Sequence, residues 1–87
     1  MNYDEIRTQL IRIFQDKTLL PEEEFLQGQE LATLVDSLTI LEIIYHIEEQ
    51  FDLEIDLDRL QQFTTFAAIE AHVADLLTGP SVGSEPA

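Results

Sequence analysis

The sequence predicts an all-α fold: a small bundle of three main helices plus one short helix, with a long loop between the first and second helices. Three observations carry this. Apolar residues recur at three- and four-residue spacing in three separate segments. Glycine and proline number only three each in 87 residues, while Leu, Ile, Glu and Gln, which all suit helices, run through the chain. There is no cysteine to staple so small a fold, so an apolar core must hold it, and a hydrophobic content of 45% can supply one.

The first helix is expected over Asp4–Lys17. Ile6, Leu10, Ile13 and Phe14 make its apolar stripe, and Asp4, Glu5 and Lys17 suit the helix dipole. Residues 18–36 form the long connection, with Pro21 opening a single helical turn near 21–25. Leu19, Leu20, Phe25, Leu26, Leu31 and Leu34 are its expected apolar anchors. The second helix runs from Ser37 to Phe51, capped by Asp36. A loop over 52–58 leads to a short helix at 58–63. The last helix starts at Thr64 or Thr65, turns Phe66, Ile69, Val73, Leu76 and Leu77 inward, and stops at Gly79 and Pro80. One domain over 1–78 is expected, with 79–87 as a disordered tail.

Charge narrows the function classes. The net charge is −14, and all the excess follows the first helix: residues 18–87 hold fifteen acids against Arg59 alone. That field repels nucleic acid and anionic membranes and draws basic partners. No apolar stretch has the roughly 20 residues that cross a bilayer, and the first ten residues lack a signal-peptide pattern. A soluble, cytoplasmic monomer is the expectation.

The helix at 37–51 carries two apolar stripes. Ile40, Ile43, Ile44, Ile47 and Phe51 make a full core face. Leu38, Leu41 and Tyr45 make a second stripe, bordered by Glu42, Glu48 and Glu49. Either that stripe also lies inside, under the 18–36 loop, or it is exposed as a partner-docking face. Periodicity leaves both open.

Ser37, taken alone, reads as a cap or first-turn residue. Catalysis fits it poorly, because Val35 and Thr39 stand where a nucleophile elbow needs glycines, and no spacing joins it to His46 or His72. No Cys/His cluster supplies a metal. The alternating acids of "DLEIDLD" at 52–58 fail the calcium-loop pattern, because Leu57 and Phe63 occupy its Gly and Glu positions. His46 and His72 are both read as solvent-facing.

The run "VDSLTILEIIYHIEEQFDLEI" resembles the signature of acyl carrier proteins and their peptidyl and aminoacyl relatives, and "FTTFAAIEAHV" falls at that family's last helix. The resemblance covers residues 3 to about 77. It implies that Ser37 bears a covalent 4′-phosphopantetheine arm, flanked by Asp36 and Leu38, whose thiol holds cargo as a thioester. It implies partner docking through Leu38, Leu41, Glu42, Tyr45, Glu48 and Glu49. The implied partners are a phosphopantetheinyl transferase, an acyl- or aminoacyl-loading ligase or transferase, and downstream synthase or tailoring enzymes. The chain itself would be a non-catalytic carrier without a metal. Leu34 and Val35 stand where many members have glycine, Thr39 where fatty-acid-type carriers have a second acid, and Asp56 where many have proline. These departures point to a discrete carrier of a dedicated polyketide-like or aminoacyl pathway. A fatty-acid-synthesis carrier and an unmodified acidic helical adaptor are the rival readings.

Overall fold

A computed structural model of the protein describes residues 2–78. Among them every regular element is helical: α1 Tyr3–Thr18, α2 Glu22–Leu26, α3 Ser37–Phe51 and α4 Phe66–Thr78, with 3₁₀ turns at Leu31–Thr33 and Leu57–Gln62. The all-α bundle of three main helices is as expected. The short helix expected at 58–63 is the second 3₁₀ segment, opened by Asp56, whose carboxylate accepts from the Asp58 N–H at 3.0 Å. The expectation for residues 79–87 lies outside the described residues.

Local chemistry sets each boundary. α1 begins with a capping box: the Asn2 side chain accepts from the Glu5 N–H at 2.8 Å, and Glu5 accepts from the Asn2 N–H at 3.1 Å. α3 begins at Asp36, whose carboxylate accepts from the Thr39 N–H at 2.8 Å. α4 is opened by Thr65, whose hydroxyl accepts from the Ala68 N–H at 3.1 Å.

The core joins α1, α3 and α4 through Ile6, Leu10, Ile13, Phe14, Ile43, Ile44, Ile47, Ile69 and Val73, all buried. The connection between α1 and α3 is strapped down as its anchors suggest. Phe25 is fully buried and packs its ring against Phe14 and Phe66, with centroids 5.2 and 5.5 Å away; Phe14 and Phe66 meet edge to face at 4.9 Å. Leu31 is also fully buried, and its N–H donates to the Thr64 carbonyl at 2.7 Å, tying the connection to the start of α4.

Two expected inward residues face out. Leu19 is 86% exposed, because the chain turns left-handed there (φ 60°) and swings its side chain off the end of α1. Leu76 is 43% exposed. The buried face of α4 includes Glu70, which moves its centre about 70° away from Leu76 at 100° per residue. Glu70 can lie inside because Arg7 on α1 donates to both its carboxylate oxygens, at 3.0 and 2.8 Å. Arg7 also lies over the Phe66 ring, 5.7 Å from its centroid.

Candidate functional site at the start of α3

Ser37 is the first residue of α3 and is exposed to solvent. The start of a helix presents N–H groups that no preceding turn can satisfy. Asp36 accepts from the third of these, on Thr39, and among the described residues nothing accepts from the N–H groups of Ser37 and Leu38. The Asp36 carboxyl is held below its ordinary range by the Thr39 backbone N–H first and the Thr39 hydroxyl second. The end of α3 that carries Ser37 is thus polarised positive and open, a setting that favours an anionic group on the serine oxygen.

The second apolar stripe lies outside. Leu38, Leu41 and Tyr45 are 66, 39 and 68% exposed, so the connection at 18–36 does not cover them. At 100° per residue they lie between Glu48 on one edge and Glu42 and Glu49 on the other. A shallow groove of about 250 Å³ runs along this face, lined by Leu41, Glu42, Ile44, Tyr45 and Glu48. The three acids are not equivalent. Glu42 and Glu49 are exposed, whereas Glu48 is half-buried and accepts from the Ile55 N–H at 2.8 Å, bolting the segment after α3 to the helix.

Beside Ser37 lies a second, more enclosed groove of about 180 Å³, lined by Glu30, Ala32, Ser37, Ile40, Leu60, Phe63 and Thr64. Ile40, assigned to the core stripe, is only half-buried because it forms one wall of this space. Phe63 forms another wall and packs against His72, with ring centroids 4.9 Å apart and the planes tilted by 42°. His72 is therefore half-buried, not solvent-facing; desolvation and then Arg59 push its pKa down, opposed by Asp75 and Asp56. Another groove, of about 500 Å³, lies between α1 and α3, with Arg12, Asp16 and His46 in its polar lining; His46 is thereby half-buried, not solvent-facing.

The residues grouped by the sequence thus fall into one continuous region: Asp36, Ser37 and Leu38 at the mouth of α3, and Leu41, Glu42, Tyr45 and Glu49 along its outer face. Sequence reasoning missed the Glu48–Ile55 bond and the Phe63–His72 contact. Neither follows a short-range pattern.

Comparison with known proteins accords with this geometry. A family model described as a phosphopantetheine attachment site matches residues 8–73. An acyl carrier protein from Streptomyces coelicolor is 31% identical over 83 residues, which span 93% of this chain and 87% of that protein. A probable acyl carrier protein from Caulobacter vibrioides is 41% identical over 51 residues, 59% of this chain and 57% of that protein. With a family model over more than half its length and a relative matched nearly end to end, this helical chain belongs to the acyl carrier protein family, as a carrier with a phosphopantetheine attachment domain.

Proposed function

We propose that this protein is a discrete carrier, modified on Ser37 with 4′-phosphopantetheine, that presents small acyl or aminoacyl groups to the enzymes of a dedicated polyketide-like or nonribosomal-peptide pathway. The observation that carries the reading is the exposed Ser37 at the open start of α3, beside an exposed apolar face. When bound, the prosthetic group supplies a flexible arm ending in a thiol that holds cargo as a thioester.

The chain's own residues do the rest. The free N–H groups of Ser37 and Leu38 stabilise negative charge on the serine oxygen. Asp36, by capping α3, fixes the backbone from which Ser37 projects. Leu38, Leu41 and Tyr45 give a partner an apolar patch to cover, while Glu42 and Glu49 steer its basic side chains into register. Tethering raises the local concentration of cargo at a docked partner to the order of millimolar. Glu48 serves mainly to hold Ile55 and the chain after α3.

Two features favour a dedicated pathway over fatty acid synthesis. Thr39 stands where fatty-acid-type carriers have a second acid. The groove beside Ser37, at about 180 Å³, is close to the roughly 150 Å³ of a cavity that takes one benzene, so it suits a short or single-ring cargo. Arm attachment draws on coenzyme A, which agrees with a cytoplasmic location. No described helix is long and apolar enough to cross a membrane.

Incubation with coenzyme A and a broad-specificity phosphopantetheinyl transferase, followed by intact mass measurement, tests the reading. The parent gains one arm and Ser37→Ala gains none. An unchanged parent mass would favour the unmodified adaptor. Loading the armed protein with a malonyl group by an acyltransferase, or with an amino acid by an adenylating ligase, then separates the candidate pathways.

A further inference from the structure

Leu19 breaks two rules at one position. It is the most exposed large apolar residue among the described ones, at 86%, and its backbone is left-handed, with φ 60°. In that region the Cβ of an L-residue crowds the following carbonyl, a strain glycine escapes and Asn or Asp tolerates. Asp52, the other left-handed residue that is not glycine, is of the tolerant kind. The fold gains nothing from leucine here, since the bond that closes α1, from the Leu19 N–H to the Gln15 carbonyl at 2.8 Å, is made by any residue except proline. A strained backbone that holds an apolar side chain in solvent points to a use outside the fold.

The topology says where that use lies. α1 and α3 run antiparallel: Gln50 donates to Gln9 at 2.9 Å, and further along α1 Asp16 shares a groove with His46. Leu19 lies ten residues past Gln9 and Ser37 thirteen before Gln50, about 15 and 20 Å along their helices. Both residues sit at the same end of the bundle, on neighbours packed about 8–10 Å apart. Enzymes that act on a tethered thioester can reach it at a distance from that end. The enzyme that installs the tether cannot, because its own active site must close on the Ser37 hydroxyl. A footprint of about 800 Å² per partner is a disc on the order of 30 Å across, wide enough to span that end of the bundle.

We propose that Leu19 is an apolar anchor for the phosphopantetheinyl transferase, filling a shallow apolar pocket on that enzyme while Ser37 enters its active site. The proposal rests on the reading of Ser37 as the attachment residue. In the step served, Ser37 Oγ bonds to the pantetheine-side phosphorus of coenzyme A. The bond from that phosphorus to the nucleotide half breaks, that half leaves with the electron pair, and the hydroxyl proton passes to a base of the transferase. No oxidation or reduction occurs.

Steady-state arm transfer to the full chain, read by intact mass with coenzyme A and a broad-specificity transferase, tests this alongside melting temperature. Leu19→Gly and Leu19→Asn suit the left-handed backbone and remove the anchor, while Leu19→Met keeps the apolar bulk. The Gly and Asn variants are expected to melt no lower than the parent and to lose roughly five-fold or more in kcat/KM, mainly through KM. The Met variant keeps most of the parent's rate. Parent-like kcat/KM in the Gly and Asn variants overturns the proposal, as does a drop in melting temperature that tracks the rate. A parent that takes no arm at all sinks the Ser37 reading itself, a failure told apart from that of Leu19 by its occurring without any substitution.

Discussion

Glu70 on α4 and Glu42 on α3 are the same side chain in opposite settings. Glu70 is 5% exposed and gripped at both oxygens by Arg7; Glu42 is exposed on the outer face of α3, and the Arg7–Glu70 contact is the one salt bridge among the described residues. A carboxylate can enter a protein interior only with a partner, since desolvation alone costs several kcal/mol. On the surface it needs none, and so stays available to another molecule. The seam between α1 and α4 therefore spends its charges on holding the fold, while the outer face of α3 leaves its charges unspent. In a chain of net charge −14 this division matters, because Arg7, paired with Glu70, no longer offsets the field around Ser37.

The sharpest way to separate the two regions is through stability. Phe25→Ala, which empties the aromatic cluster beneath the connection, is expected to cost about 3–5 kcal/mol by denaturant unfolding. Arg7→Ala strands the Glu70 carboxylate. Because Arg7 is about half exposed, its cost lies between the surface and buried limits, about 2 kcal/mol, and the double variant Arg7→Met with Glu70→Leu should recover most of it. Glu48→Lys removes the acceptor of the Ile55 N–H and is expected to cost about 1–2 kcal/mol, whereas Glu42→Lys should leave stability within about 0.5 kcal/mol. In partner assays the order reverses: Glu42→Lys slows association several-fold at low salt, and added salt narrows the gap. Equal melting shifts for the Glu42 and Glu48 variants would erase the distinction drawn between them.

The smallest effect is a matter of pH. The Asp36 carboxyl has its pKa lowered in the fold by the Thr39 donors, so its contribution is present above the ordinary carboxylate value and is lost as pH falls through the folded value. The melting temperature of Asp36→Ala is therefore expected to trail the parent's at neutral pH and to approach it in acid. A gap that is constant across this range would mean that the charge on Asp36 does not contribute to capping α3.

Much of this was legible in the sequence because its signals are local. The stripe of Ile6, Leu10, Ile13 and Phe14, the cap at Asp36 and the helix from Ser37 to Phe51 all follow from spacing within a few turns. The second stripe at Leu38, Leu41 and Tyr45 was visible too, but whether it faced in or out depended on where the connection ran. The Asn2–Glu5 capping box is a local signal as well, a cap residue with Glu three positions on. The inward acid had a partial clue, since Glu70 stands four residues after Phe66, within the apolar rhythm of α4. Its partner Arg7 is sixty-three residues away, and no periodicity links them. Leu19 misleads for a related reason: apolar composition marks an anchor only if the backbone turns it inward, and the left-handed backbone here turns it out.

One ring stands in two environments. Phe63 walls the small groove beside Ser37 on one side and lies against the imidazole of His72 on the other. Any group that settles into that groove must shift or polarise the phenyl ring, and the imidazole protons sit within its ring current. The magnetic resonance of a single histidine on α4 thus reports, without any added label, on whether the space next to the serine is empty or filled.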